Sequence, residues 1–393
     1  MNELSPAELH SATARPETSN RVFGLDLLRA IAILLVVYGH SITFLLPFLP
    51  RWILLVPLPD GVDLFFVLSG FLIGSILVKT YDRTRFTPFR VLHFWGRRWL
   101  RTLPNYMLVL TIVIVVAHFS GRHGEPVHLA KYYLFLQNFS KPQPPFFPES
   151  WSLAVEEWFY LTTPVMLLFL DAVACRWCSK QVVCWLLVAI NLAAVTAYRF
   201  TKAAWVPDTD PAVWDKVFRT IVVTRLDSIM FGVVGAILKY FHEEWWRRHA
   251  RLFLGLGLAT LLGVQSFAAY QRFGLNSCGF FMKGPYFSIV SFGTLCLLPM
   301  LDMMRKSQGL FAKAVTHISL TSYSLYLVNG TLLVVTFHAF FPVHTLEQGI
   351  ENFVLFWISA LGAATVLYAG FEKPVLELRD RLTPKRHKTD TIT

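Results

Sequence analysis

Long apolar runs alternate along the chain with short polar or Pro/Gly-rich breaks. Each run approaches the roughly 20 residues that an α-helix needs to cross hydrocarbon. Ten of them lie near residues 22–46, 61–78, 102–119, 151–170, 182–198, 217–238, 252–270, 286–304, 317–341 and 350–371. A membrane barrel would instead show alternating segments of about ten residues, and none stands out. Segments that do not close into a barrel must satisfy their backbone internally, as helices. The pattern predicts an all-α, polytopic transmembrane bundle of about ten helices. No segment repeats another, and the longest breaks, 120–150 and 199–216, are too short to form enzymes by themselves. The expected plan is a disordered segment over 1–20, a membrane domain over 21–374 and a basic tail over 375–393. Residues 1–20 show no apolar core and no cleavage site, so the first apolar run is expected to serve as the targeting element.

Composition agrees with this solvent. Of 393 residues, 54% are hydrophobic and 16% charged, where a soluble domain carries about 25% charged residues. A net charge of +11 would suit a nucleic-acid surface, but the positions of the charges argue otherwise. With the N-terminus placed in the cytoplasm, 24 of the 36 Lys and Arg fall in cytoplasmic segments and ten in outer loops, and Arg29 and Arg225 lie within the membrane. Cytoplasmic loops carry such an excess. The basic balance therefore reads as topology and attraction to anionic lipid, with both termini cytoplasmic and no nucleic-acid partner. The five cysteines are scattered, and Cys175 with Cys178 has no second pair or nearby His to complete a metal site. No metal is expected.

The first crossing, GLDLLRAIAILLVVYGH, carries Asp26, Arg29 and His40, although ionisable groups inside a bilayer are costly. Arg29 and His40 are eleven residues apart. That is about 20° beyond three full turns, so they share a face and stand about 16 Å apart along the axis. Asp26 is three residues before Arg29, close enough for an ion pair. Snorkelling and interfacial hydrogen bonding account for one such residue; two on one face describe a polar track. The second crossing places Asp63 near its outer end and Ser69 and Gly70 in mid-membrane, where plain helix packing explains the glycine equally well. The fourth opens SWSLAVEEWFYL, bringing Trp151, Ser152 and Glu156 together, with Glu156 favoured over Glu157 to face an internal cavity. Before the third crossing, Arg98 and Arg101 share a face that suits phosphate recognition, and a positive-inside signal would also place them there. Arg225 and Asp227, two apart, are expected to reach different partners.

Seven stretches in order resemble the acyltransferase-3 family of integral-membrane O-acyltransferases. They are GLDLLRAIAILLVVYGHS with its Arg-x10-His, VDLFFVLSGFLI, Arg98-x-x-Arg101 with Pro104, SWSLAVEEWFYL, RLDSIMFGVVGAIL, SYSLYLVN and FEKP. The resemblance implies transfer of an acyl group, with acetyl expected, from cytoplasmic acyl-CoA to a hydroxyl of a sugar-containing acceptor. The acceptor would be a surface glycan, a lipid-linked precursor or a secondary metabolite. It also implies a multi-pass protein of the plasma (inner) membrane. His40 would be the catalytic histidine, Arg29 part of the acyl-CoA site, Arg98 and Arg101 the arginine pair, and Ser69-Gly70 a glycine-rich turn. SYSLYLVN contributes Tyr326 and ends in Asn329, where many relatives have histidine; an amide orients but does not exchange a proton.

The expected mechanism docks acyl-CoA on Arg98, Arg101 and Lys373 and runs its arm past Asp26 and Arg29 to His40. His40 then takes the acceptor proton, oriented by Asp63 or Glu156, with Trp151, Ser152, Tyr326 and Asn329 at the substrate. The alternative is a secondary transporter that uses the intramembrane charges as a relay, although no internal repeat supports it.

Overall fold

A computed structural model describes residues 21–119, 128–174, 177–305 and 307–382. The expected disordered segment over 1–20, Cys175 of the Cys175 and Cys178 pair, and the part of the basic tail after 382 lie outside the described residues. The helices follow the apolar runs as α1 (Phe23–Ser41), α2 (Gly61–Arg83), α3 (Pro88–Phe119), α4 (Ser150–Ala174) and α5 (Lys180–Trp205). They continue as α6 (Leu226–Phe241), α7 (Ala250–Ala269), α8 (Pro285–Met303), α9 (Leu310–Val328) and α10 (Leu346–Leu367). A π-helical turn, Tyr368–Glu372, joins α10 to α11 (Lys373–Leu382). Local chemistry sets several ends. The Asp60 carboxylate accepts from the Val62 N–H at 2.9 Å and starts α2, and Thr345 with Gln348 forms a capping box on α10. Helix α3 starts well before the predicted 102, so the arginine-rich turn belongs to the helix itself.

The sixth predicted crossing is the most altered. Over 217–238 the chain first makes a π-helical turn (Asp215–Arg219) and a 3-10 turn (Val222–Thr224). Regular helix then runs for only 16 residues. At 1.5 Å per residue that is about 24 Å, short of a hydrocarbon core of about 30 Å. Among the described residues, nine other helical segments are long and apolar enough to cross.

Helix direction decides whether α6 counts as a tenth. Asp26 at the start of α1 accepts from Ser319 of α9, and His40 at its end meets Asn329 just past α9, so α1 and α9 run parallel. Six long helices between them would make α9 antiparallel to α1; α6 is the seventh and gives the observed direction. Likewise α2 and α6 run parallel, with Asp63 against Arg225 at one end and Tyr240 donating to Asp82 at the other. Ten crossings return the chain to the side where it began. There Asp380 of α11 lies 3.6 Å from Arg97 of α3. Below, the end where α1 begins is the near end of the bundle, and the opposite one the far end.

Helices in lipid gain little from burying apolar surface, so close packing and polar ties hold them. Helix α2 meets α6 backbone to backbone. A Cβ at Gly70 would stand 1.9 Å from the Ile229 carbonyl oxygen, and one at Gly232 would stand 2.1 Å from that of Val67. The polar ties are buried ion pairs. Arg225, fully buried, pairs with Asp63 and lies over the rings of Phe66 and Phe287 at 5.3 and 4.2 Å. Arg199 pairs with Asp227 at 2.8 Å and also donates to the carbonyls of Thr224 and Gly284. Arg225 and Asp227 thus reach different helices, each closing a joint of the far half.

Two outcomes follow from this packing. Gly70→Ala and Gly232→Ala should each destabilise the bundle by about 1–3 kcal/mol or more through overpacking. Gly255→Ala, where a Cβ meets nothing within 4 Å, should leave the thermal midpoint of the detergent-purified protein unchanged. Asp63→Asn, which leaves Arg225 buried without its anion, should cost about 3–5 kcal/mol. The double replacement Asp63→Leu with Arg225→Met should recover most of the thermal midpoint.

Candidate active site

The face of α2 turned away from α6 carries Val62, Phe65, Phe66, Ser69, Leu72, Ile73, Ile76, Leu77 and Thr80, a stripe at three- and four-residue spacing. This stripe walls an internal cavity of about 1450 Å³. From Val62 to Thr80 the wall rises about 27 Å, most of the thickness of a hydrocarbon core. The opposite walls come from the first half of α3, from Ser152 and Glu156 of α4, and from Ser322, Tyr323 and Tyr326 of α9.

Charge along the cavity is one-sided. Eight arginines line it (Arg21, Arg29, Arg85, Arg90, Arg97, Arg98, Arg101 and Arg379), and its lining includes one carboxylate, Glu156. Most of these arginines come from the near end: the α2–α3 connection, the start of α3 and α11. Guanidinium forks match phosphate oxygens in pairs, so this mouth suits a polyanionic group. Deeper in, Glu156 organises the wall. It accepts from Ser69 and from the Tyr160 hydroxyl, both at 2.9 Å, and lies 3.6 Å from Arg98. Arg98 itself donates to the Tyr160 oxygen at 2.5 Å. The far end is closed by Ser152 and Tyr326, whose hydroxyls are 2.6 Å apart.

The residues singled out from sequence divide into two sets. Arg29, Ser69, Arg98, Arg101, Ser152, Glu156 and Tyr326 line the cavity together. Asp26 lies beside it, accepting from Arg21 at 2.6 Å and from Ser319 at 2.8 Å, and 3.8 Å from Arg29. Gly70 points away from the cavity into the α6 contact, as plain packing requires. Lys373 is exposed and does not line the cavity; Arg379, two turns further on, does. Trp151 is buried between Phe66 and the Arg219 guanidinium, which sits 4.7 Å from its ring.

His40 is half-buried at the end of α1 and is not part of the cavity wall. Its partner corrects one expectation. Asp63 is consumed by Arg225, and Glu156 is held in mid-cavity, so neither orients the imidazole. Asn329 does, with its Oδ1 2.5 Å from the His40 Nδ1. The Asn329 Nδ2 donates to the carbonyls of Leu325 and Tyr326 at 2.7 and 2.9 Å. With the amide nitrogen tied twice, the oxygen must face His40. The neutral ring therefore donates from Nδ1 and keeps its lone pair on Nε2.

Two groups flank this pair. Arg219 binds Asp60 at 2.5 Å and Asp215 at 2.7 Å. Burial pushes the Asp60 carboxyl upward, but Arg219, the Val62 N–H and Arg225 together outweigh it and hold the group below the ordinary carboxylate range. Glu149, just ahead of α4, is buried and accepts from the backbone N–H and the hydroxyl of Thr331, both at 2.6 Å. Burial pushes its carboxyl up to about 7.

Sequence reasoning passed over Tyr160, although its place four residues after Glu156 on one helix face would have found it. It treated Arg85, Arg90, Arg97 and Arg379 as topology signals. No local pattern marks Asp60 with Arg219, or Glu149 with Thr331, because each partner is distant in sequence.

Comparison with known proteins bears on the same region. The model of the acyltransferase domain of the acyltransferase-3 family matches residues 22–371. Peptidoglycan O-acetyltransferase OatA of Listeria monocytogenes is 25% identical over 293 residues, 70% of this chain and 45% of that protein. A putative O-acetyltransferase of Staphylococcus aureus is 35% identical over 167 residues, 37% of this chain and 25% of its own length. A putative peptidoglycan O-acetyltransferase of Bacillus subtilis, YrhL, is 35% identical over 123 residues, 27% of this chain and 19% of its own. The chain spans less than half the length of these curated relatives. No solved structure matches it. The family match takes in every crossing, all of the cavity lining except Arg21, Arg379 and Leu382, and His40 with its partner, and on that extent the chain belongs to the acyltransferase-3 family.

Proposed function

We propose that the protein is a plasma-membrane O-acyltransferase that carries an acyl group, acetyl in the simplest case, from acyl-CoA to a carbohydrate hydroxyl. The observation that carries this reading is the cavity: arginines crowd its near end, and its wall climbs along α2 almost to the residues that position His40. A nucleotide with its phosphates fits the arginine end, and a thin, flexible pantetheine arm fits the interior along α2. The near end is then cytoplasmic, where acyl-CoA is made, as the Lys and Arg distribution favours. The relatives named for peptidoglycan O-acetylation support a sugar hydroxyl on the far side.

In the reaction, Nε2 of His40 takes the acceptor O–H proton as that oxygen attacks the thioester carbonyl, and the proton then passes to the departing sulfur of CoA. Asn329 fixes the tautomer that leaves Nε2 free. The donor arm is guided by Arg29, Arg98 and Arg101, which face it along the wall. Of the relay that a transporter would use, Asp26, Arg29, His40, Glu156 and Asp227, the last is locked in a buried pair with Arg199 of α5.

Two measurements test this reading. Purified protein should release free CoA from acetyl-CoA, and His40→Ala should lower the rate about 10²–10⁴-fold, the range of general base catalysis, at normal expression. A His40→Ala variant with full transfer refutes the assignment of the base. Arg101→Ala should raise the KM for acetyl-CoA about tenfold or more, the worth of one charge-assisted hydrogen bond. Arg101→Lys should recover part of that loss, and a KM unmoved in both variants contradicts the placement of the phosphates. Mass spectrometry of surface glycans from cells with and without the protein identifies the acceptor.

A further inference from the structure

We propose that Glu149 is a positioning residue for His40, acting through the π-helical turn that carries Asn329. The inference rests on the reading of His40 as general base. Asn329 opens the turn Asn329–Val334, where the backbone leaves α-helical register. Such turns are rare and gather at functional sites. Residue 149 grips this one on both sides of Asn329. Three residues before it, the Tyr326 hydroxyl donates to the Glu149 backbone carbonyl at 2.9 Å. Two residues after it, Thr331 donates both its N–H and its hydroxyl to the Glu149 carboxylate at 2.6 Å.

The fit leaves no slack. Gly330, between Asn329 and Thr331, lies so close that a Cβ there would stand 2.6 Å from the Glu149 carboxyl carbon. A buried carboxylate is costly unless its oxygens are satisfied, and here each oxygen takes a bond from Thr331 on the turn. With the turn pinned on both flanks, the Asn329 amide has one orientation, and its oxygen stays on the His40 Nδ1. Glu149 touches neither donor nor acceptor in this arrangement; its effect passes entirely through Asn329.

The test uses the full chain in detergent, with acetyl-CoA as donor, a chito-oligosaccharide or water as acceptor, and free CoA as readout. Glu149→Ala should lower the rate at saturating donor about 10–100-fold, the range for residues that orient a functional histidine, with the KM for acetyl-CoA unchanged. Glu149→Gln should restore most of the rate, because its amide oxygen accepts the Thr331 N–H and its nitrogen donates to the Thr331 hydroxyl. In an Asn329→Ala background, Glu149→Ala should change the rate by no more than about twofold, since both act through one contact. An unchanged rate in Glu149→Ala, or a full additive loss in the Asn329→Ala background, overturns the proposal. Gly330→Ala, whose Cβ displaces the carboxylate, carries the same cycle if Glu149→Ala does not accumulate. Full activity in His40→Ala marks failure of the base assignment itself, and the clamp falls with it.

Discussion

Helix α2 touches α6 so closely that no Cβ fits between them at Gly70 or Gly232, and this contact decides what the other side of α2 can do. A helix pinned along one stripe by backbone contact cannot rotate or drift outward. Its opposite stripe can then line a large cavity without closing it. That is how Val62, Ser69 and Thr80 come to stand along one wall of a cavity of about 1450 Å³. Close packing of small residues, the main attraction available between helices in lipid, holds the cavity's wall in place.

The buried charges serve the same end from the far side. Arg225 with Asp63 locks the far ends of α6 and α2 together, and Arg199 with Asp227 ties α5 to α6. Each ion would be prohibitive alone, and each pair is satisfied further by carbonyls or aromatic rings. These pairs compensate for the shortness of α6. Its missing turns are replaced at the far end by the irregular segment from Asp215 to Thr224, whose backbone is bonded in part to Asn138 and Phe139. Non-helical backbone at membrane depth is tolerated where protein covers it. The near end of the same bundle is handled in the opposite way. There eight arginines line the cavity, with Glu156 as the carboxylate among the lining residues.

The apolar runs placed the crossings because a bilayer imposes one length on every helix, and Leu- and Phe-rich stretches report that length directly. The eleven-residue spacing put Arg29 and His40 on one face, and both do meet α9 and its continuation, at Ser319 and Asn329. Less was legible where a residue's role depends on a partner far away in sequence. Asp63 looked free to orient an imidazole because nothing near it in sequence announces Arg225. Glu149 drew no notice beside the motif that follows it, since Thr331 lies 182 residues away. Gly70 carried two readings that only the position of α6 could separate. The shape of the sixth crossing was lost for a related reason: Val217 to Thr224 is apolar enough to read as helix, but the Val222 and Val223 N–H groups bond to Asn138 and Phe139 of another loop.

An amide beside an imidazole sets a tautomer and does nothing more with protons. On the proposed reading this has a geometric consequence. With Nδ1 committed to Asn329, the proton that Nε2 takes from the acceptor hydroxyl must leave His40 from the same nitrogen, toward the sulfur of CoA. Acceptor oxygen and leaving sulfur must therefore both come within reach of one atom, the first from the far end and the second from the cavity below. Tyr326 and Ser152 stand at the top of that cavity, and Tyr326 is bonded through its carbonyl to Asn329 itself. Tyr326, which with Ser152 of α4 closes the donor's path, and Asn329, which aims the base, are thus three residues apart, at the end of α9 and the start of the turn that follows it. Any motion that lets the thioester past Tyr326 must preserve the Asn329 amide, or the base is lost when its substrate arrives. Fixing the chain on both flanks of Asn329, as residue 149 does, is one physical way to meet both requirements.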